Sequence, residues 1–522
     1  MQYRKLVRLA TAMMDVKILL VFGLLKLQSA SCGDKQPNIV FILADDLGYY
    51  DIGYHGSRIQ TPVLDNLANR GIKLENYYVQ PICTPTRSQL MSGRYQIHTG
   101  MQHKVILPPQ PLCLPRDEVT IAEKLKEAGY ATHIVGKWHL GHYAEFCLPT
   151  KRGFDTFFGF YNCAVDYYTY DKYNYYRYPN GTNLQMLGKD LWRNDSEFVA
   201  PQYVGEHKTR LFASEAQRVI RNHDAELPLF LYLAFGAVHV PVQAPLKYRK
   251  MYRDVENEER RLVLALATMM DEAIGNVTST LEETGLWDNT ILIFSSDNGG
   301  ATSFGGSNWP LRGGKKSYYE GGIKVAGFVS GPLLPPNLRG STNRELIHVS
   351  DWFPTLVHLA RGNLNGTKPL DGYNQWSTIW HQSPSPRKEI LINIDPMIEC
   401  TNCTKNSHWR NDKFDVHLNA GLIVGSWKLL TGRQEHAFWS IPAEIQDVLR
   451  VNTNTRGKLV SLYNIKSDPT EQTDLAECMP GIVHRMLEKL AEYNSGAVSP
   501  LFPDSQEEAD PARHGGAWGP WV

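Results

Sequence analysis

Runs of apolar residues that end in polar pairs organise this chain. Asn38–Ala44 is a continuous apolar stretch closed by Asp45-Asp46, the pattern of a strand buried on both faces. Three similar runs follow: residues 131–135 ending at Gly136-Lys137, residues 229–235 followed by His239, and residues 290–295 ending at Asp297-Asn298. Between them the spacing turns helical. Thr61 is placed to cap a helix with Pro62 in its first turn, Val63, Leu64, Leu67 and Ala68 on one face, and Gly71 as its stop. Thr120 and Glu123 form a capping box for a second helix that runs to Gly129. Strands alternating with helices predict an α/β domain with a largely parallel sheet.

In such a sheet, ligands bind beyond the carboxyl ends of the strands. Asp45, Asp46, Lys137, His139, His239, Asp297 and Asn298 all lie just past predicted strand ends, so four distant segments converge on one site. After residues 383–386 the pattern changes. Residues 390–394, 421–424, 427–430 and 459–465 read as strands of an antiparallel sheet, with Gly425-Ser426 turning a hairpin. Residues 480–493 read as an amphipathic helix. We expect a large domain over residues 36–384 and a smaller α+β domain over residues 385–522, since 522 residues exceed one small core.

Composition excludes little except by charge. Lys plus Arg and Asp plus Glu number 54 each, which argues against a nucleic-acid surface or a polybasic membrane tether. Arg4, Lys5 and Arg8, an apolar run over residues 18–25, and Ser29 with Ser31 predict a secretory signal over residues 1–31; the alternative is a buried N-terminal helix. That run is too short to span a bilayer, and we expect no stable membrane span elsewhere. Sequons at Asn180, Asn194, Asn276, Asn365 and Asn402 agree with glycosylation in the secretory pathway. Most of the eight cysteines should pair there. The tyrosines between Tyr167 and Tyr178 can stack on sugar rings or pack within a surface insertion, and the second use is the commoner.

Cys83-Thr84-Pro85-Thr86-Arg87 is the sharpest feature. Thr84 is a natural N-cap and Pro85 suits a first turn, giving a helix to Ser92 with Gly93 as its stop. Cys83 would then sit where helix N–H groups attract anions, with Arg87 one turn in. The plainer reading is a disulfide or a buried cysteine beside a helix start. Asp45, Asp46, Asp297 and Asn298 supply hard oxygens that suit Ca²⁺ better than zinc; for either pair taken alone, capping and turn formation is the commoner use of such residues after a strand.

The motifs decide between these readings. Residues 81–90 (PICTPTRSQL) resemble the sulfatase signature, whose core is Cys-x-Pro-x-Arg, and residues 129–139 (GYATHIVGKWH) resemble that family's second signature. The resemblance runs from about residue 37 to the C-terminus and is greatest to the N-acetylgalactosamine-4-sulfatase branch. It implies an alkaline-phosphatase-like fold: a large mixed, mostly parallel sheet flanked by helices, with a smaller C-terminal α+β domain. It implies that the formylglycine-generating enzyme converts Cys83 to formylglycine (3-oxoalanine). One Ca²⁺ per chain would be held by Asp45, Asp46, Asp297, Asn298 and residue 83. Arg87, Lys137, His139, His239 and Lys315 would complete the catalytic set, with Lys137, His239 and Lys315 binding substrate. Lys315, not its neighbour Lys316, has the expected spacing from Asp297.

The implied reaction is hydrolysis of a sulfate ester, here the 4-sulfate of N-acetylgalactosamine in chondroitin or dermatan sulfate, in a lysosomal or extracellular setting. Another sulfated glycan or aryl sulfate is the alternative. The matching positions also imply a Cys113–Cys147 disulfide, with Cys400 and Cys403 as a possible local pair. Two positions depart from the pattern: Thr86 stands where serine is usual, and Pro109 where the relative has cysteine. A phosphatase or phosphodiesterase of the wider superfamily would share the sheet but use Ser or Thr with transition metals. A non-catalytic glycan-binding protein on the same fold is a further rival.

Overall fold

The computed structural model describes residues 35–178, 181–400, 409, 413–445 and 458–522. The expected signal, Cys32, Cys403, Asn180 and Asn402 lie outside the described residues.

A ten-stranded mixed sheet forms the centre. Its middle is parallel: Thr290–Ser296, Asn38–Ala44, Leu229–Ala234, Ala131–Lys137 and Thr156–Phe160 lie side by side in that order. Gly327–Ser330 joins antiparallel beside Thr290–Ser296, followed by Ile72–Leu74 and Ser341–Asn343, while Trp192–Arg193 and Glu197–Phe198 close the other edge. The four strands expected from apolar runs are all present, each within two residues of its predicted bounds.

Alternation explains why these runs are apolar throughout. Val40, Ile42, Leu231 and Leu233 face one core, shared with the helices Lys208–Arg221 and Glu258–Glu283. Ile39, Phe41, Leu43, Phe230 and Tyr232 face the other, shared with the helices Ile121–Glu127 and Trp352–Leu359. Burying each such side chain stabilises the fold by about 1.5–3 kcal/mol, so a polar residue on either face would be costly. The capping box at Thr120 and Glu123 forms as predicted.

The second sheet is antiparallel, ordered Glu389–Glu399, Leu418–Val424, Trp427–Thr431 and Val460–Asn464. The helix Pro480–Ser495 packs on one face of it through Val483, Leu487 and Leu490. The other face presses on Tyr318 and Tyr319. The tyrosine-rich segment is a hairpin of Asp171–Arg177 and Asn183–Lys189. Tyr167 and Tyr170, which precede it, are fully buried, in keeping with packing, whereas Tyr173 and Tyr175 stay exposed.

The cap expected at Thr61 does not form. The helix Pro62–Asn69 starts after Thr61, but the Thr61 side chain makes no capping bond. Asp271, on the long helix Glu258–Glu283, accepts from Val63 N at 3.1 Å and Leu64 N at 2.7 Å instead. A distant carboxylate thus satisfies the orphan donors and complements the helix dipole. Asp271→Ala should therefore cost about 1–3 kcal/mol in denaturant unfolding; a loss below ~0.5 kcal/mol would show that this tertiary cap contributes nothing.

Candidate active site

Adjacent parallel strands end side by side, and their next residues interlock. Asp297 N donates to Ala44 O, and Asp46 N donates to Asp297 Oδ1 at 3.1 Å. Asp46 is in the left-handed region (φ 62), which turns the chain so that Asp45 and Asp46 both enter the site. Asn298 Nδ2 donates to Asp46 Oδ1 at 2.8 Å. Its Oδ1 is buried without a hydrogen-bond partner.

Cys83 is the first residue of the helix Cys83–Ser92. The N-cap is Ile82, in extended conformation, and not Thr84 as expected. The Thr84 hydroxyl is engaged elsewhere: it donates to His139 O at 3.2 Å and accepts from Ile106 N at 3.3 Å. All ten residues of this helix are buried, and Gly93 ends it as predicted, with φ 68. Arg87 reaches Asp297 Oδ2 through Nε at 3.1 Å and Nη2 at 2.8 Å, and donates from Nη1 to Lys137 O at 3.1 Å. The Cys83 thiol points at Asp45 Oδ1, 3.7 Å away.

Every residue expected at the site is brought to it. Lys137 Nζ is 2.7 Å from Asp45 Oδ2, and Lys315 Nζ is 2.7 Å from Asp46. His239 Nε2 lies 3.7 Å from Asp46 Oδ2, and its Nδ1 is 2.7 Å from Val240 O. A carbonyl only accepts, so Nδ1 carries the proton and Nε2 is bare while the ring is neutral. By the same logic His139 Nε2, 3.2 Å from Ile106 O, carries the proton, and the buried Nδ1 is left without a hydrogen bond of normal geometry. Lys316 is exposed and turned away, holding Pro81 O through its backbone.

Three carboxylates and three cations share this buried space. Burial would raise Asp45, but Lys137, His239, Arg87 and Lys315 outweigh it and hold the carboxyl well below its usual range. Asp46 is lowered against burial by Lys315 and His239. Asp297 is raised by burial and by Asp45, against Arg87 and Lys137. Burial, then the cation of Lys315, pushes His239 down to about 4; burial also lowers His139 to about 4. The Cys83 thiol is pushed well up by burial and by Asp297. It is a protonated, poorly nucleophilic thiol as it stands.

Two further residues adjoin the site without having been expected there. Thr86 Oγ1 donates to Asp297 O at 2.5 Å and accepts from Gln80 N at 2.9 Å. The free, partly buried thiol of Cys163 stands beside the His139 ring; burial would raise it, but Lys172 and His139 draw it down to about 5. Thr86 lies within the Cys83–Arg87 motif, which gives no sign of its two distant partners, and Cys163 carries no local pattern that marks it.

A protein-family model with the description Sulfatase matches residues 37–362. The chain belongs to the sulfatase family. Arylsulfatase J of Mus musculus is 46% identical over 504 residues, covering 95% of this chain and 82% of that relative. N-acetylgalactosamine-6-sulfatase of Homo sapiens is 33% identical over 86% of this chain and 83% of its own length. Among solved structures, that of Ps i-CgsB in complex with k-i-k-neocarrahexaose superposes with a TM-score of 0.72 at 27% identity, covering 92% of this sulfatase and 97% of that chain.

Sulfatases work with a formylglycine and a metal ion, and the residues here fit an ion. Asp45, Asp46, Cys83 and His239 bring ligand atoms within 4.8 Å of one another. The orphaned Asn298 oxygen, buried among the Asp45, Asp46 and Asp297 carboxylates, is a hard donor left for a cation. The Cys113–Cys147 bridge forms as the family resemblance implied; Cys400 is also disulfide-bonded.

Thr86→Val removes the hydroxyl between Gln80 N and the Asp297 carbonyl, and should cost about 1–3 kcal/mol in equilibrium unfolding, while Thr86→Ser should change stability by less than ~1 kcal/mol. Equal stability of the valine and threonine proteins would overturn the assignment of that hydroxyl as a brace.

Proposed function

We propose that Cys83 is the residue converted to formylglycine, that Asp45, Asp46, Asp297 and Asn298 hold one Ca²⁺ beside it, and that the substrate is a sulfated N-acetylgalactosamine glycan, preferably its 4-sulfate. The observation that carries this reading is the aim of the Cys83 side chain at Asp45, at the head of a helix whose Arg87 grips Asp297. The four oxygen donors Asp45, Asp46, Asp297 and Asn298 favour Ca²⁺ over zinc.

When bound, the ion polarises a sulfate oxygen and offsets the carboxylates. A hydrated aldehyde at residue 83 supplies two hydroxyls, one to attack sulfur and one to release sulfate. Asp297, its proton affinity already raised, accepts the proton of the attacking hydroxyl. Arg87, Lys137 and Lys315, each held charged by a carboxylate, stabilise the sulfate oxygens as negative charge develops. An arriving anion raises the proton affinity of His239 Nε2, which then protonates the departing alcohol. The bare Nδ1 of His139 takes the proton of the second hydroxyl.

The glycan assignment is supported by the relatives: one is named N-acetylgalactosamine-6-sulfatase, and a solved neighbour is in complex with k-i-k-neocarrahexaose. The exposed sequons Asn194, Asn276 and Asn365 and the Cys113–Cys147 disulfide support a lysosomal or extracellular setting reached through the secretory pathway.

A panel of 4-sulfated and 6-sulfated galactosamine oligosaccharides, an aryl sulfate and an aryl phosphate tests the substrate, alongside mass spectrometry of the residue 83 peptide and chelation with EGTA. We expect turnover of the 4-sulfate, an aldehyde at residue 83, and loss of activity that Ca²⁺ restores. An intact thiol in active enzyme, or preference for phosphate, would sink the reading. Cys83→Ser should show no steady turnover yet retain sulfate covalently, because serine lacks a second hydroxyl; sustained turnover by that variant contradicts the mechanism.

A further inference from the structure

Lys208 is buried behind the site and takes no part in the chemistry above. It is the first residue of the helix Lys208–Arg221, where the dipole disfavours a cation. Among the described residues no carboxylate lies within ion-pair distance of its ammonium. The ammonium donates to Val165 O and lies 3.7 Å from the Tyr167 ring centroid and 5.0 Å from that of Phe160. Its backbone N–H donates to Tyr167 O at 2.9 Å. A buried ammonium with one hydrogen bond and a helix dipole against it is costly.

What that ammonium touches leads to the site. The Tyr167 hydroxyl lies 2.6 Å from the Gly236 carbonyl and 3.0 Å from the His239 carbonyl. Tyr167 N donates to Gln243 Oε1 at 2.8 Å, so the 165–167 segment and the turn that presents His239 are tied at two points. Lys208 grips that segment at both ends, at Val165 by side chain and at Tyr167 by backbone and cation–π contact.

We propose that Lys208 is a positioning residue: its ammonium fixes Tyr167, whose hydroxyl holds the Gly236–His239 turn and thereby sets the place of His239. The inference rests on the role given to His239 above. Asp45 and Lys137 at the strand ends, Asp166 and Asp190 in the flanking loops, and His207 beside it are the charged and titratable groups around Lys208. Burial, opposed by Asp45 and reinforced by Lys137, draws Lys208 down to about 7. The ammonium is therefore present below that pH and lost above it. Because the folded value is lowered from the ordinary lysine value, the cost to stability is full below about 7 and fades towards that ordinary value.

The test is Lys208→Met, of similar length and uncharged, in the full chain. At pH below 7, kcat should fall about tenfold with KM within about twofold, while thermal stability is unchanged or higher, since a buried charge is removed. The limb of the wild-type kcat profile that falls through about 7 should vanish in the variant. Tyr167→Phe should reproduce the kcat loss. In an His239→Ala background, Lys208→Met should cause no further loss. Wild-type kcat in Lys208→Met, or losses that multiply with His239→Ala, overturn the inference and leave the proposed function standing. Full activity of His239→Ala alone overturns the role of His239 and this inference with it.

Discussion

Charge compensation inside a closed core is the constraint from which the rest of this structure follows. Taking an ion out of water costs several kcal/mol unless a partner and further hydrogen bonds meet it. Lys137 answers Asp45, Lys315 answers Asp46, and Arg87 answers Asp297. Each pair joins segments far apart in the chain, so the sheet, the buried helix and the glycine-rich loop must all be in place before all three pairs are made.

The strands were legible because a strand buried on both faces has no polar positions, and the first polar pair after it marks its end. That same rule gathered Asp45, Asp46, Lys137, His139, His239, Asp297 and Asn298. Arg87 and Lys315 gained their place through the family resemblance, since their residue types alone are compatible with many surface roles. Thr84 and Thr86 show what remained hidden. Their partners are carbonyls 55 and 211 residues away, so Thr84 read as a local cap when its hydroxyl was committed to His139 O. Asp271 was hidden for the same reason, capping a helix 207 residues earlier in the chain. Nothing in the sequence pattern singles out Lys208, and only the fold encloses it.

The second sheet braces the first where the site is most loop-like. Lys428, in the strand Trp427–Thr431, pairs with Glu320 and Glu471. Arg312 reaches Tyr463 Oη and Glu471 O from the start of the loop that carries Lys315. Glycines let this loop fold tightly on itself: a Cβ on Gly299 would come within 1.9 Å of Gly321 O. In the sheet, Gly136 (φ 113) does the same beside Lys137, where a Cβ would meet Ala234 O at 1.8 Å. A side chain at either place would push a charged residue out of register with its partner.

The complete enclosure of the helix Cys83–Ser92 dictates an order of events in the life of the protein. No second enzyme can grasp a segment that has neither an exposed side chain nor a free edge. If residue 83 is rewritten by such an enzyme, the encounter belongs to the interval between emergence of the nascent chain and its collapse. A chain that folds too soon would be locked, stable and intact, as an apparently native molecule that never acquires its reactive group.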